Sequence, residues 1–319
     1  MNAAIVHTLG QPPRFGPFED PVAGDGEVLV TLHAAGLHPL VKAIASGRHY
    51  THTPQVPFVP GVDGIGVRAD GVRVYCGFSR SPFGTMAQRT VVPTAMCIPI
   101  PDGLDDFTAA AIGNPGMSAW LSLTEKAKVA RGETVLVLGA TGTAGGLAVQ
   151  FAKLLGASRV IAAGRNPKSL AKLQTLGADA AISLEEPAED LVRAFAAEMD
   201  RIDVVIDYLW GPPTEALLKA LAQGATRASG RKVRLVEVGE SAGPTITLPA
   251  ALLRGAGLEL SGSGIGTASL TQIMRALPAF FDFAASGKVK LDITVLPLES
   301  VEEAWSLKGE GSRVVLKIT

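Results

Sequence analysis

The stretch VLVLGATGTAGGLAVQFAKLLG, residues 135–156, joins an apolar run to a cluster of glycines and then to an amphipathic segment. Residues 135–138 are all apolar, as expected of a strand in a parallel sheet that helices cover on both faces. From about Ala144 the apolar residues recur with helical spacing, while Gln150 and Lys153 lie off the apolar stripe. The stripe consists of Leu147, Ala148, Phe151, Leu154 and Leu155. The stretch therefore predicts a strand, a glycine turn and a helix.

The glycines of this turn fit the dinucleotide-binding fingerprint in two registers. One register uses Ala140, Gly142 and Gly145, and a looser one begins at Gly139 instead. Gly142 would let the backbone approach a pyrophosphate, and Gly145 would let the helix pack closely on the strand. Unpaired backbone N–H groups at the helix start would then face the anion. Because any tight strand-to-helix turn favours glycine, the turn alone fits a phosphate cradle or a simple connection.

Composition narrows the class of protein. The chain has 319 residues, of which 47% are apolar and 18% charged, so we expect a globular protein of two domains. The formal net charge of −1 and the dispersed Lys and Arg argue against nucleic-acid and anionic membrane partners. The sequence shows no long apolar span and no leader pattern at its start, which predicts a cytoplasmic protein. Cys76 and Cys97 are too few for a disulfide framework and are expected to be small buried apolar residues.

The predicted secondary structure changes character twice along the chain. Residues 1 to about 118 carry short β-rich runs broken by Pro and Gly, which is typical of an antiparallel barrel-like domain. From Gly132 onward, six apolar strand candidates alternate with helical stretches and predict a doubly wound parallel sheet. The six candidates are TVLVL, RVIAAG, ADAAIS, DVVID, VRLVEV and LELSG. After about Gly264, a helix and the tail RVVLKIT are predicted to return to the first domain.

The second strand candidate, RVIAAG, favours NADPH as the dinucleotide. In such folds the residue just beyond this strand senses the adenosine ribose: an acid binds the 2′-hydroxyl, and a base accommodates a 2′-phosphate. Here the chain continues GRNPKSL, which offers Arg165 and Lys168 and no carboxylate. Each residue taken alone fits a solvated helix start equally well, but their shared position favours phosphate recognition.

Several segments together resemble the medium-chain dehydrogenases/reductases, in the zinc-independent, quinone oxidoreductase (zeta-crystallin-like) branch. Their order and spacing suit that family over nearly the whole chain. The segments are VPFVPGVDGIG (56–66), AAAIGNPGMSAW (109–120), the glycine-rich stretch, LGADAAIS (176–183), IDVVID (202–207) and GSRVVLKI (311–318). The resemblance implies an α/β chain with a GroES-like β-barrel catalytic domain, residues 1–120 and 265–319. A Rossmann domain with a doubly wound, parallel six-stranded sheet, residues 121–264, would lie between them in sequence, with a cleft for the nicotinamide.

The resemblance also implies which residues bind the cofactor NADPH. Residues 140–145 would hold the pyrophosphate, Gly164 and Lys168 the adenosine phosphate, and Ser118 the nicotinamide side. Tyr208 would contact the adenosine, and the residues after the last two strands would receive the carboxamide. With Arg165, the predicted cofactor-binding set is Ser118, Ala140, Thr141, Gly142, Thr143, Ala144, Gly145, Gly164, Arg165, Lys168, Tyr208, Val238, Gly239 and Ser263.

A catalytic zinc is not expected, because it would need about three converging Cys, His or acidic ligands. The position at which the zinc enzymes of the family carry cysteine falls near His38, and their Gly-His-Glu segment is replaced by residues 61–64, Gly-Val-Asp-Gly. His49 and His52 lie in a Pro-rich loop and are expected at the surface. We therefore predict no metal site.

Hydride transfer without a metal suits quinones or α,β-unsaturated carbonyl compounds, whose developing negative charge falls on an oxygen that hydrogen-bond donors can hold. The catalytic candidates are His38 and Tyr50, and each has an ordinary structural role as its alternative. Family members commonly carry Asn, Asp and Tyr at the positions of His38, Val41 and Ala43, so this chain departs from the usual polar wall. The leading hypothesis is an NADPH-dependent reductase of quinones or enones.

Two other functions remain open at this point. The altered segment around His38 also fits an NADPH-binding protein with little or no catalysis. A zinc alcohol dehydrogenase is the third hypothesis. For assembly we predict a homodimer that pairs through the edge strand at residues 258–262, because an exposed apolar edge needs cover.

Overall fold

The computed structural model describes residues 1–49, 54–223, 232–264, 266–307 and 312–319. The chain divides into two compact units, one of residues 1–117 with 274–319 and the other of residues 118–273. Both breaks fall inside helices, at positions that differ from the predicted bounds of 120/121 and 264/265. Among the described residues, no helix combines the length and the apolar character needed to cross a bilayer.

The first unit is built on an antiparallel sheet. Its strands are β1 (Asn2–Ile5), β2 (Arg14–Pro17), β3 (Glu27–Gly36), β4 (Asp63–Arg68), β5 (Arg73–Gly77), β6 (Arg89–Pro93) and β7 (Cys97–Pro99), with β14 (Ile293–Pro297) and β15 (Arg313–Lys317) from the end of the chain. The main sheet has the order β14-β15-β3-β4-β5-β7, β6 pairs with β3, and β1 pairs with β2. All these pairs are antiparallel except β14 with β15. The end of the chain belongs to the sheet of this unit, because β15 pairs with β3.

Apolar residues on alternate strand positions form the core of this unit. Val30, Leu32 and Val74 are fully buried in one cluster, which also contains Cys76 and Cys97. The prediction that both cysteines are buried apolar residues is therefore confirmed. The helices of this part of the chain are α1 (Pro39–Ala45), α2 (Asp106–Leu121), α8 (Leu270–Ala285) and α9 (Val301–Ser306), of which α2 and α8 are shared with the second unit.

The second unit is the predicted doubly wound domain. Its elements are β8 (Thr134–Leu138), α3 (Thr143–Leu154), β9 (Arg159–Gly164), α4 (Pro167–Thr175), β10 (Ala180–Ser183), α5 (Ala188–Met199), β11 (Val204–Asp207), α6 (Gly211–Gln223), β12 (Val233–Glu237), α7 (Ala250–Gly255) and β13 (Leu258–Gly262). The six strands are parallel in the order β10-β9-β8-β11-β12-β13. All six strand predictions are confirmed. Because the strand order reverses between β8 and β11, ligands are expected beyond the carboxyl ends of these two strands.

Candidate active site

The glycine turn joins β8 to α3 in the second unit. Gly139 has φ of +82°, a backbone conformation that favours glycine. A methyl group on Gly145 would lie 2.3 Å from the Gly139 carbonyl oxygen and 2.7 Å from the Ala140 Cα. The first turn of α3 therefore packs against the end of β8 as closely as the sequence predicts, and only glycine fits at position 145.

Gly142, at the N-cap of α3, differs from Gly145 in having an ordinary backbone conformation and free space around it. Its backbone is ordinary, with φ of −81° and ψ of 165°, and no side chain caps the helix. A methyl group there would come no closer to the protein than 3.4 Å, from the Gly139 carbonyl oxygen. The protein's own packing does not require glycine at this position. The first N–H groups of α3 are available to an acceptor in front of it, such as a phosphate oxygen.

The end of β9 presents two cations to solvent. Arg165 and Lys168 are exposed. Asn166 caps α4 by accepting a hydrogen bond of 3.0 Å from the Ser169 N–H. Gly164 is buried under Thr141, because a methyl group at Gly164 would lie 2.4 Å from the Thr141 Cγ2. Thr141 and Gly164 are therefore in contact. The other two predicted residues, Arg165 and Lys168, follow Gly164 within four positions of the chain.

The carboxyl ends of β11, β12 and β13 bring together the other predicted cofactor residues. Backbone hydrogen bonds join Val238 N–H to the Asp207 carbonyl at 2.7 Å and Ser263 N–H to the Glu237 carbonyl at 2.8 Å. Gly239 lies beside Tyr208, since a methyl group at Gly239 would be 3.2 Å from the Tyr208 carbonyl oxygen.

Tyr208 has a buried hydroxyl without a hydrogen bond of normal geometry. Burial raises the pKa of the Tyr208 phenol far above its ordinary value, and the Ser118 side chain opposes part of that shift. Ser118 and Tyr208 are therefore neighbours in the second unit. Both were predicted to contact the cofactor.

Asp207 is a residue of this edge that the sequence analysis did not select. It is fully buried, and its Oδ1 accepts hydrogen bonds from the Leu209 and Trp210 N–H groups at 2.9 and 3.0 Å. Its Oδ2 accepts a hydrogen bond of 2.6 Å from the Thr214 hydroxyl. Burial raises the pKa of Asp207, while these hydrogen bonds oppose the shift. Asp207 thus fixes the turn that carries Tyr208, with Trp210 at φ of +54°.

His38 belongs to the first unit, where it precedes α1 and is 1% exposed. Its Nε2 lies 2.8 Å from Oδ1 of Asp63, which is 2% exposed. The structure therefore places His38 in a buried polar pair. The sequence analysis did not select Asp63 as a site residue, although it lies in the segment 61–64 that replaces the Gly-His-Glu motif of the zinc enzymes. The other catalytic candidate, Tyr50, lies outside the described residues.

Arg313 and Tyr75 surround this pair. Arg313 is 8% exposed, and its Nη1 donates a hydrogen bond of 2.9 Å to the Leu37 carbonyl oxygen. Burial lowers the pKa of Arg313 to about 10, and the charge of Asp63 acts in the opposite direction. Burial also raises the pKa of the Tyr75 hydroxyl, and the charge of Asp63 adds to that shift. Asp63 is therefore the acid that faces both groups.

The side chains around His38 do not make a good zinc site. The His38 Nε2 and Asp63 Oδ1 are bonded to each other. In the part of the chain that the structure describes, no three or more His, Cys, Asp and Glu side chains are grouped to hold a metal ion. The donor set therefore does not fit the three-ligand pattern of a catalytic zinc.

Comparison with known proteins gives the family of the chain. Residues 144–279 match the family model described as zinc-binding dehydrogenase. The quinone oxidoreductase of Homo sapiens is 30% identical over 237 residues, which cover 70% of this chain and 71% of that protein. The chain belongs to the medium-chain dehydrogenase/reductase superfamily, in its quinone oxidoreductase branch.

Two further members of the superfamily match the whole chain. The protein named "Probable NADPH-dependent quinone reductase tdiC" from Emericella nidulans is 27% identical, and the alignment covers 99% of both chains. The solved quinone oxidoreductase of Thermus thermophilus, whose structure was also determined with NADPH, superposes with a TM-score of 0.81. It is 28% identical, and the match covers 100% of both chains. The predicted GroES-like and Rossmann architecture of this superfamily is confirmed.

Proposed function

We propose that this protein is an NADPH-dependent oxidoreductase that reduces quinones or α,β-unsaturated carbonyl compounds without zinc. The observation that carries the proposal is the pair of exposed cations after β9, Arg165 and Lys168, next to a glycine turn that accepts no side chain at Gly145. The relatives named quinone oxidoreductase support the same substrate class.

The position of the two cations is unfavourable unless an anion binds there. The first turn of α4 contains Lys168 and no acidic residue, and Arg165 precedes the helix. The positive end of the helix dipole repels cations, at a cost of about 0.3–1 kcal/mol each at an exposed site. A 2′-phosphate at this point would neutralise both side chains and accept charge-assisted hydrogen bonds from them.

Each predicted residue then has a part in the reaction. NADPH, when bound, supplies the hydride. Residues 140–145 would bind the pyrophosphate through backbone N–H groups, and Ser118, Val238, Gly239 and Ser263 would hold the nicotinamide side. Tyr208 was predicted to contact the adenosine, but its contacts with Ser118 and Gly239 favour the nicotinamide side instead. His38, or Tyr50 in its place, gives a hydrogen bond or a proton to the oxygen that gains negative charge.

The proposal is tested by following the consumption of NADPH and NADH, through nicotinamide absorbance, with a panel of quinones and enones in the presence and absence of a chelator. Turnover that prefers NADPH and is unaffected by the chelator is expected. Alcohol oxidation that the chelator abolishes would instead identify a zinc alcohol dehydrogenase. Tight NADPH binding with no turnover on any acceptor would favour a cofactor-binding protein without catalysis.

The cofactor preference has its own test in Arg165→Ala. This variant should bind NADPH about tenfold more weakly, because one charge-assisted hydrogen bond to the phosphate contributes about 1.5–3 kcal/mol and solvent screens this exposed site. Its affinity for NADH should change little. Lys219→Ala removes the same charge from the exposed side of α6 and serves as the matched control. Equal weakening of NADPH and NADH binding would show that Arg165 does not read the 2′-phosphate.

We also propose a cytoplasmic homodimer that pairs through β13. This strand ends the sheet and is exposed from Glu259 to Gly262, including Leu260, which is 38% exposed. An open apolar strand edge favours pairing with a second copy. A monomeric wild-type protein in sedimentation at micromolar concentration would refute the dimer.

A further inference from the structure

His38 and Asp63 form a buried hydrogen-bonded pair in which His38 keeps one polar atom without a partner. The Nε2–Oδ1 distance is 2.8 Å, and the side chains are 1% and 2% exposed. His38 Nδ1 has no hydrogen-bond partner among the described residues, whereas the Asp63 carboxylate also interacts with the Tyr75 hydroxyl. A buried polar atom without a partner costs about 1–3 kcal/mol. Stability alone therefore does not account for the pair.

Two glycines leave room for the pair. A methyl group on Gly36, at the end of β3, would lie 2.5 Å from Cε1 and 2.6 Å from Nε2 of His38. A methyl group on Gly113, in α2, would lie 2.8 Å from Oδ2 of Asp63 and 2.4 Å from the Tyr75 ring. Any side chain at either position would displace the imidazole or the carboxylate, so the sequence preserves space for both.

The chemistry of the hydrogen bond determines which ring nitrogen is free. An ionised carboxylate accepts hydrogen bonds and donates none, so the proton between the two groups is carried by His38 Nε2. In the neutral ring the lone pair then lies on Nδ1. Arg313 holds the backbone beside this histidine by donating a hydrogen bond to the Leu37 carbonyl. The surroundings therefore select one tautomer.

We propose that Asp63 is a positioning residue that keeps His38 in the Nε2–H tautomer and leaves the buried Nδ1 to exchange a proton with the substrate oxygen through water. The inference rests on the proposed function. When the hydride adds to the conjugated acceptor, its electron pair places negative charge on the oxygen. His38 first takes a proton from solvent water on Nδ1, then gives that proton to the oxygen and returns to the neutral ring, still bonded to Asp63 through Nε2.

The tautomer is measured directly by nitrogen NMR of protein labelled at its five histidines, with His38 assigned from the spectrum of His38→Gln. The neutral wild-type ring should carry its proton on Nε2. In Asp63→Asn the side-chain amide can donate to Nε2, so a population with the proton on Nδ1 should appear. A wild-type ring protonated on Nδ1 in its neutral form would overturn the proposal, and this measurement is made on the wild-type fold.

Turnover gives the second readout. Asp63→Asn should lower kcat by about tenfold or more, because general acid–base catalysis contributes about 10²–10⁴-fold, and should leave NADPH affinity unchanged. Thr85→Val is the structural control, since the Thr85 hydroxyl donates a 2.7 Å hydrogen bond to the Asp63 carbonyl and does not touch the carboxylate. This control should keep both the wild-type tautomer and the wild-type kcat.

The outcomes separate this inference from the proposed function. An equal loss of kcat in Asp63→Asn and Thr85→Val, with the tautomer unchanged, would reduce Asp63 to a structural residue. A changed tautomer with full kcat would also overturn the proposal. If the wild type turns over no quinone or enone, the proposed function fails, while the NMR spectra still decide whether Asp63 sets the tautomer.

Discussion

Gly142→Ala separates the two reasons for which a turn can contain glycine. The backbone at this position has φ of −81°, which any residue adopts, and the nearest protein atom to a methyl group would be 3.4 Å away. We expect the variant to fold. Because alanine is a poorer N-cap than glycine, its free energy of unfolding should fall by about 0.5–1 kcal/mol at most.

The effect of this substitution on cofactor binding should be larger than its effect on stability. A methyl group at the N-cap would keep a phosphate oxygen away from the first N–H groups of α3. The loss of one charge-assisted hydrogen bond corresponds to about 1.5–3 kcal/mol, or a roughly 10- to 150-fold weaker Kd for NADPH. The assay is a titration of NADPH by the fluorescence of its bound nicotinamide, alongside thermal unfolding of each variant.

Two neighbouring glycines provide matched controls in the same helix. A methyl group on Gly146 would lie 3.5 Å from the nearest atom, so Gly146→Ala should gain helix stability of up to about 1 kcal/mol and keep the wild-type Kd. Gly145→Ala should destabilise the protein by about 1–3 kcal/mol, because its methyl group would lie 2.3 Å from the Gly139 carbonyl oxygen. Wild-type affinity in Gly142→Ala, or an equal loss in Gly146→Ala, would refute the cradle.

Two further predictions concern stability. Arg313→Met should lower the free energy of unfolding by about 1–3 kcal/mol, seen as a lower urea midpoint at constant m, because the Leu37 carbonyl loses its buried hydrogen bond and Asp63 loses a nearby cation. An unchanged midpoint would contradict this. Burial acts to raise the pKa of Asp179, but hydrogen bonds from Lys153 and the Val160 N–H lower it below its ordinary value. The carboxylate therefore stabilises the fold above the unfolded-state pKa, and this contribution is lost as pH falls through the folded pKa. Asp179→Asn should show a smaller drop in urea midpoint than wild type between about pH 5 and pH 3.

The sequence predicted the second unit well because its signals are local. The apolar run at residues 135–138 became β8, Thr134–Leu138, and the helix expected near Ala144 begins at Thr143. Gly139 and Gly145 have their structural reasons within a few positions of the chain. Gln150 was expected off the apolar stripe but is 5% exposed, and its Nε2 donates to the Gly146 carbonyl. A long amide can be buried when it returns a hydrogen bond to its own helix, which periodicity does not reveal.

The domain bounds and the polar cluster required long-range information. The units divide inside the helices α2 and α8 and not in a loop, although α2 carries Pro115 close to the division. Asp63 pairs with a residue 25 positions earlier, and Arg313 reaches the Leu37 carbonyl across 276 positions. Asp63, at the start of the apolar strand β4, was the one local signal of this cluster, because a buried acidic side chain is almost always paired with another polar group.

The polar atoms of this cluster suggest why the chain keeps it. The Asp63 carboxylate interacts with a histidine, a guanidinium and a phenol, yet among the described residues His38 Nδ1 remains without a hydrogen bond. An apolar replacement of similar volume would remove both desolvation costs, and buried ion pairs are often neutral or unfavourable to stability when compared with such replacements. This chain instead has glycine at positions 36 and 113, which leaves space for the two polar side chains, and the folded protein is less stable by the cost of burying them. The proton exchange proposed for the imidazole Nδ1 would account for this cluster, whereas folding stability alone does not.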